Sequence, residues 1–108
     1  MPTSFINSTA NEVGTTEVLL YTTPSNDKAI LIGCNIANRV NSTVPFDIYI
    51  KKGSNIYYII KDHRIATGSN VEVMKGNKIV LNSNNTVYVK AYIADSLDIT
   101  LSILSGVT

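Results

Sequence analysis

The one histidine of this chain, His63, stands in "YYIIKDHRIATGSN" (57–70) beside Lys61, Asp62 and Arg64, a crowding of titratable groups that invites an acid–base reading. A catalytic histidine needs a nucleophile or acid partner within hydrogen-bond reach, and usually a third group that orients it. Asp62 is poorly placed for that task, because adjacent side chains of an extended segment point to opposite faces. "IYYIIK" reads as a strand ending near Lys61 and "ATGSN" as a turn, which puts His63 on a solvated rim. Cys34, the one cysteine, falls among Ile30, Ile32 and Ile36 at a spacing of two, where a thiol stays protonated and packs as a small hydrophobe. Gly33 before it is expected to permit a close approach or a bulge, since no glycine-rich loop leads into a helix. The eight acidic residues are scattered singly, and Asp95 and Asp98 bracket a turn where they would bond local backbone. No catalytic residue, metal ligand or cofactor is expected.

Composition narrows the classes further. A chain of 108 residues fits one domain and buries roughly 65% of its unfolded surface on folding, enough for a single core. With 44% hydrophobic residues, 16% charged residues and a formal net charge of +1, neither disorder nor a polyanionic partner is favoured, so nucleic acid is not expected. The start "MPTSFINSTANEVG" lacks a basic segment followed by an apolar run, and no apolar stretch approaches the roughly 18 residues of a membrane span. No signal peptide and no membrane are therefore expected. Sequons at Asn7, Asn41 and Asn84 read as accidental in a chain so rich in Asn and Thr.

The elements that must position these residues are strands. "PFDIYIK" places Phe46, Ile48 and Ile50 opposite Asp47, Tyr49 and Lys51; "TVYVKAYI" places Val87, Val89, Ala91 and Ile93 opposite Thr86, Tyr88, Lys90 and Tyr92. "LDITLSIL" sets Leu97, Ile99, Leu101 and Ile103 inward, and "AILIGCNIAN" sets Ile30, Ile32, Cys34 and Ile36 on one side. "TEVLLY", "IYYIIK", "VEVM" and "KIVL" are shorter candidates, separated by the turn clusters "TPSND", "NRVNST", "KGSN", "TGSN", "KGN", "NSNN" and "ADS". About eight short strands predict an all-β, antiparallel β-sandwich, immunoglobulin-like or jelly-roll-like, over residues 16–108. Residues 1–15 lack sustained alternation and read as an N-terminal arm, anchored by Phe5 and Ile6 on a neighbouring subunit or a sheet edge.

The outward residues are the candidates for binding. Tyr49, Tyr88 and Tyr92 alternate with core positions and, with Lys51 and Lys90, predict an aromatic and basic face. Tyrosine combines large contact area with one polar tip, which suits a protein interface, and an aromatic face also suits stacking of a sugar.

The order of "AILIGCNIAN", "PFDIYIKKGSNIYYII", "GNKIVL" and "DSLDITLSIL" resembles that in small virion structural proteins of tailed bacteriophages, over about residues 28–104. The resemblance implies a β-sandwich of the capsid decoration or neck and tail accessory type. It also implies other virion proteins as partners, a homo-oligomer, synthesis in the host cytoplasm and a place in the virion, with no catalytic residues. A glycan-binding or receptor-recognition module of a fibre or tail is the alternative.

Overall fold

The computed structural model describes residues 4–75 and 78–107. Residues 1–3 of the expected arm, and Gly76 and Asn77 of the "KGN" turn, lie outside the described residues. Nine strands form: β1 (Ser4–Val13), β2 (Val18–Thr22), β3 (Lys28–Asn38), β4 (Val44–Lys52), β5 (Asn55–Ile65), β6 (Asn70–Glu72), β7 (Ile79–Leu81), β8 (Thr86–Ala91) and β9 (Leu97–Val107). Among the described residues there is no helix long and apolar enough to cross a membrane.

The pairing is nested and antiparallel throughout: β1 with β9, β2 with β8, β3 with β6 and β7, and β4 with β5. It is the pattern of one long hairpin, its tip at "KGSN", rolled over on itself. Gly53 at that tip has φ +63°, a left-handed value that a tight hairpin turn requires and that glycine adopts without strain. Two further ladders, β3 with β9 and β4 with β8, complete sheet I in the order β1-β9-β3-β6, with β7 also on β3, and sheet II in the order β2-β8-β4-β5. The three-residue strands β6 and β7 pair with opposite ends of β3, so together they fill one strand position. The result is an eight-position double sheet, the jelly-roll form of the expected sandwich rather than the immunoglobulin-like one.

The core between the sheets follows the period of two. Phe46, Ile48, Val87, Val89 and Ala91 from sheet II meet Ile36, Leu97, Ile99, Leu101 and Ile103 from sheet I. Each fully buried Leu or Ile contributes about 1.5–3 kcal/mol by leaving water. On β3 the expected inward set is only half correct. Leu31 pairs with Ile103 and Gly33 with Ser102, so Ile32 is an extra residue that shifts the phase. Ala29 and Leu31 therefore point inward before the bulge, and Cys34 and Ile36 after it, while Ile30 and Ile32 are only partly buried.

The N-terminal segment is an edge strand over Ser4–Val13, laid along β9 of its own chain from Ser4↔Ser105 to Val13↔Leu97. Its inward positions carry Ile6, Ser8 and Ala10, and the last two are too small to show alternation in the sequence. The Ser8 hydroxyl donates to the Leu20 carbonyl, which joins β1 to β2 across the sandwich side. Near its end, Arg39 lies 3.6 Å from Glu12 and 3.2 Å from Asp98, whose carboxylate also accepts the Glu12 N–H.

Candidate functional site on the outer sheet faces

Ladder registers place one apolar row across the outside of each sheet. On sheet II the row is Leu19, Tyr88, Tyr49 and Tyr58, contributed by β2, β8, β4 and β5. It contains two of the three tyrosines expected to form a face. Tyr49 is at its centre and only 5% exposed, so its ring is a platform for its neighbours rather than a contact surface. Tyr88 stacks on it at 5.8 Å and 13°, and Tyr58 tilts against it at 5.5 Å. Lys51 Nζ sits 4.3 Å from the Tyr88 ring centroid and 2.9 Å from Glu17 Oε2, while the Tyr49 hydroxyl donates to Glu17 Oε1. Burial and then that hydrogen bond push the Tyr49 hydroxyl well above the ordinary tyrosine range.

Tyr92, 46% exposed, is tied elsewhere on this face. Its hydroxyl donates to Asp47 Oδ2 at 2.9 Å, and this bond to a carboxylate raises its pKa. Asp47 is itself buried, and its other oxygen accepts the Asp62 N–H at 2.7 Å. Asp62 has φ +52° and lies where β5 has one residue more than β4, between Phe46↔His63 and Ile48↔Ile60; Ile59 is a second such extra residue. Asp47 thus holds a bulge in an edge strand, a device that blunts the edge against pairing.

The histidine cluster belongs to that bulge. Contrary to the expected strand end, β5 runs through to Ile65, and His63 lies on the core side with its ring edge-on to Phe46 at 5.6 Å and 76°. Arg64 Nη2 approaches Asp62 at 3.8 Å in solvent, and none of these groups is hydrogen-bonded to His63. Cys34 is buried as expected; desolvation first, then the Glu72 charge, pushes its pKa up to about 12. Glu72 folds over Gly33 and accepts the N–H groups of Cys34 and Met74, each at 3.0 Å. Among the described residues no group of three His, Cys, Asp or Glu side chains is placed to hold a metal ion. Two adjoining depressions of about 310 and 350 Å³ open beside Thr15, one lined by Glu12, Gly14 and Asp95, the other by Lys90 and Tyr92. Both are wide open to solvent, so neither encloses a ligand.

On sheet I the outer row is Phe5, Leu104, Ile30 and Val80, from β1, β9, β3 and β7. Phe5, expected as an arm anchor, is 76% exposed and touches no core; Ile6 faces inward opposite Ile103 and is 37% exposed at the sandwich edge. Ile30 is expected from the sequence to face inward, and Leu104 and Val80 are not singled out by it. The available signal was an excess of apolar residues over the period of two in "AILI", "KIVL" and "SIL".

The comparisons with known proteins bear on the fold. No family model matches the chain, and no curated protein matches it. Among solved structures it is similar to a chain in the structure of infectious bursal disease virus, Gx strain, with a TM-score of 0.50 and 10% sequence identity. The match covers 95% of this chain and 32% of that one, so the chain spans about a third of the neighbour's length. At that identity the likeness is one of fold.

Proposed function

We propose that this chain is a non-enzymatic structural component of a tailed-phage virion, a capsid decoration or neck or tail accessory protein that assembles symmetrically and docks on other virion proteins. The nested jelly-roll pairing supports this reading first, since that fold recurs in viral capsids, lectin domains and cupins. Its likeness to a chain of a virus structure over 95% of the residues favours the first of these. The ordered motifs from "AILIGCNIAN" to "DSLDITLSIL" favour a tailed phage. Two sheet faces, each crossed by an apolar row, supply the docking surface that a particle component needs.

A glycan-binding module is the second reading. It draws on half-exposed Tyr58 and Tyr92, with Lys61 Nζ 4.6 Å from the Tyr58 ring centroid. Electron microscopy of purified particles, with mass spectrometry of their proteins, separates the two. Symmetric density that fits the sandwich, seated on other virion proteins, is the expected result. Absence from particles, together with saturable binding to a glycan array, would overturn the structural role in favour of the module.

A further inference from the structure

The sandwich has four sheet edges, formed by β1 and by β6 with β7 in sheet I, and by β2 and β5 in sheet II. An edge strand leaves half of its backbone N–H and C=O groups free to pair with another chain, and bulges, charges or brevity ordinarily prevent it. Three of these edges are blunted in such ways. β5 carries two bulges and the charges of Lys61, Asp62 and Arg64. β2 has five residues, with a shift of register between Leu19 and Tyr21, and β6 and β7 have three residues each. β1 differs. From Ser4↔Ser105 to Ala10↔Ile99 its register with β9 runs unbroken, and among the described residues no strand pairs along its other side. That stretch is regular, uncharged and free of proline, and it includes Phe5, at 76% the most exposed large apolar side chain among the described residues.

We infer that β1 pairs antiparallel with β1 of a second copy, about a two-fold axis perpendicular to sheet I that passes between the two Asn7 residues. This register uses the whole regular stretch: Ser4 faces Ala10 of the copy, Phe5 its Thr9, Ile6 its Ser8 and Asn7 its Asn7. Opposed residues lie on the same face of the joined sheet, so symmetry gives each Phe5 an aromatic–β-branched pair across the new ladder. The sequence of the strand argues for a copy as the occupant. A strand that meets itself repels itself wherever like charges fall opposite each other. No charge falls within Ser4–Asn11, and the first, Glu12, lies beyond the overlap, in the bulge of β1 and beside Arg39. This inference rests on the assembly reading for its purpose, although the open edge itself does not depend on it.

Amide exchange of the full chain, followed by NMR at about 50 µM and about 2 mM, tests it across the range in which a short ladder associates. In a monomer, alternate amides of Ser4–Ala10 bond to β9 and the others face water. The outward set should exchange about threefold or more slowly at the higher concentration, given a Kd of about 0.1 mM. Asn7 is exposed and its Oδ1 accepts one long bond, 3.4 Å from Ser102 Oγ, so its replacement should spare the fold. Asn7→Lys and Asn7→Glu should each abolish the concentration dependence, by setting like charges face to face at the axis. An equimolar mixture of the two should restore it, because each new ammonium then faces a new carboxylate. Circular dichroism melting of both variants verifies that the sandwich is intact. Outward amides that exchange alike at both concentrations, variants that keep the dependence, or a mixture no better than its components would each overturn the inference. Protection that arises only in particles would also overturn it, and would assign the edge to a strand of another protein. Paired edges in solution with no chain in particles would instead sink the virion role and leave the pairing standing. Incorporation of a chain that stays monomeric would do the reverse.

Discussion

Glu17 is a surface carboxylate that organises the tyrosine row, and its titration reports on that row. The hydrogen bond from Tyr49, then that from Lys51, holds its pKa below the ordinary value. With the folded pKa below the unfolded one, the stabilisation is complete above about pH 4.3 and is lost as pH falls through the lower folded value. The stability gap between wild type and Glu17→Gln in urea should therefore shrink between neutral pH and about pH 3. A gap that stays constant through that range would mean that the Glu17 contacts carry no charge dependence. The histidine makes a different point. Read from sequence it was a solvated residue, and its removal should then cost almost nothing. Its ring edge against Phe46 instead predicts a loss of about 1 kcal/mol for His63→Ala in denaturant unfolding. An unchanged midpoint would show that the ring contact is incidental.

At the scale of elements, strands were legible where one face is buried and the partner imposes no irregularity. Leu97, Ile99, Leu101 and Ile103 on β9 alternate in sequence and in burial alike, and Phe46, Ile48 and Ile50 on β4 are all buried as their spacing predicts, although Asp47 and Tyr49 between them are buried too. The turn clusters were legible too, since Asn26, Asn84 and Asp95 adopt positive φ within "TPSND", "NSNN" and "ADS". Bulges were not, because an extra residue is defined only against the partner strand; Ile32 against β9, and Ile59 against β4, leave no local mark. Two polar side chains that fix such irregularities are the places to test. Asp47→Ala should cost about 2 kcal/mol by leaving the Asp62 N–H unbonded, and it should also increase aggregation as the β5 edge straightens. Light scattering and urea unfolding measure the two effects, and a soluble variant of unchanged stability would dismiss Asp47 as the holder of the bulge. Asn38 joins three segments: its Nδ2 donates to the carbonyls of Ser42, Ile65 and Ala66, and its Oδ1 accepts the Val40 N–H. Asn38→Ala should therefore lose about 2–3 kcal/mol, and Asn38→Asp more, since a carboxylate would then face three carbonyls. Equal stability of the two variants would show that the carbonyls find water instead.

For the whole molecule, the nested pairing makes the two ends of the chain neighbours. Ser4 and Ser105 share a hydrogen bond 101 residues apart in sequence. The first strand is consequently part of the sandwich, which changes what its removal should do. A detachable arm could be cut away to leave a folded domain that assembles poorly. Cutting residues 1–14 from this fold strips the open edge of β9, whose Ile99, Leu101 and Ile103 are central to the core. It also removes Val13, which is 1% exposed and whose carbonyl accepts the Ser96 N–H at 2.9 Å. Losing a ten-residue ladder partner and one buried side chain, with the β1 side of β9 left unpaired, should cost several kcal/mol. A domain of this size is stable by only about 5–15 kcal/mol, so the truncated chain should unfold at a much lower urea concentration or fail to fold. Urea unfolding followed by circular dichroism, with amide exchange of β9 in the full chain, decides the matter. A truncated chain with the wild-type midpoint and a protected β9 would restore the picture of an appended arm, and would move Phe5 from the sandwich to a mobile segment.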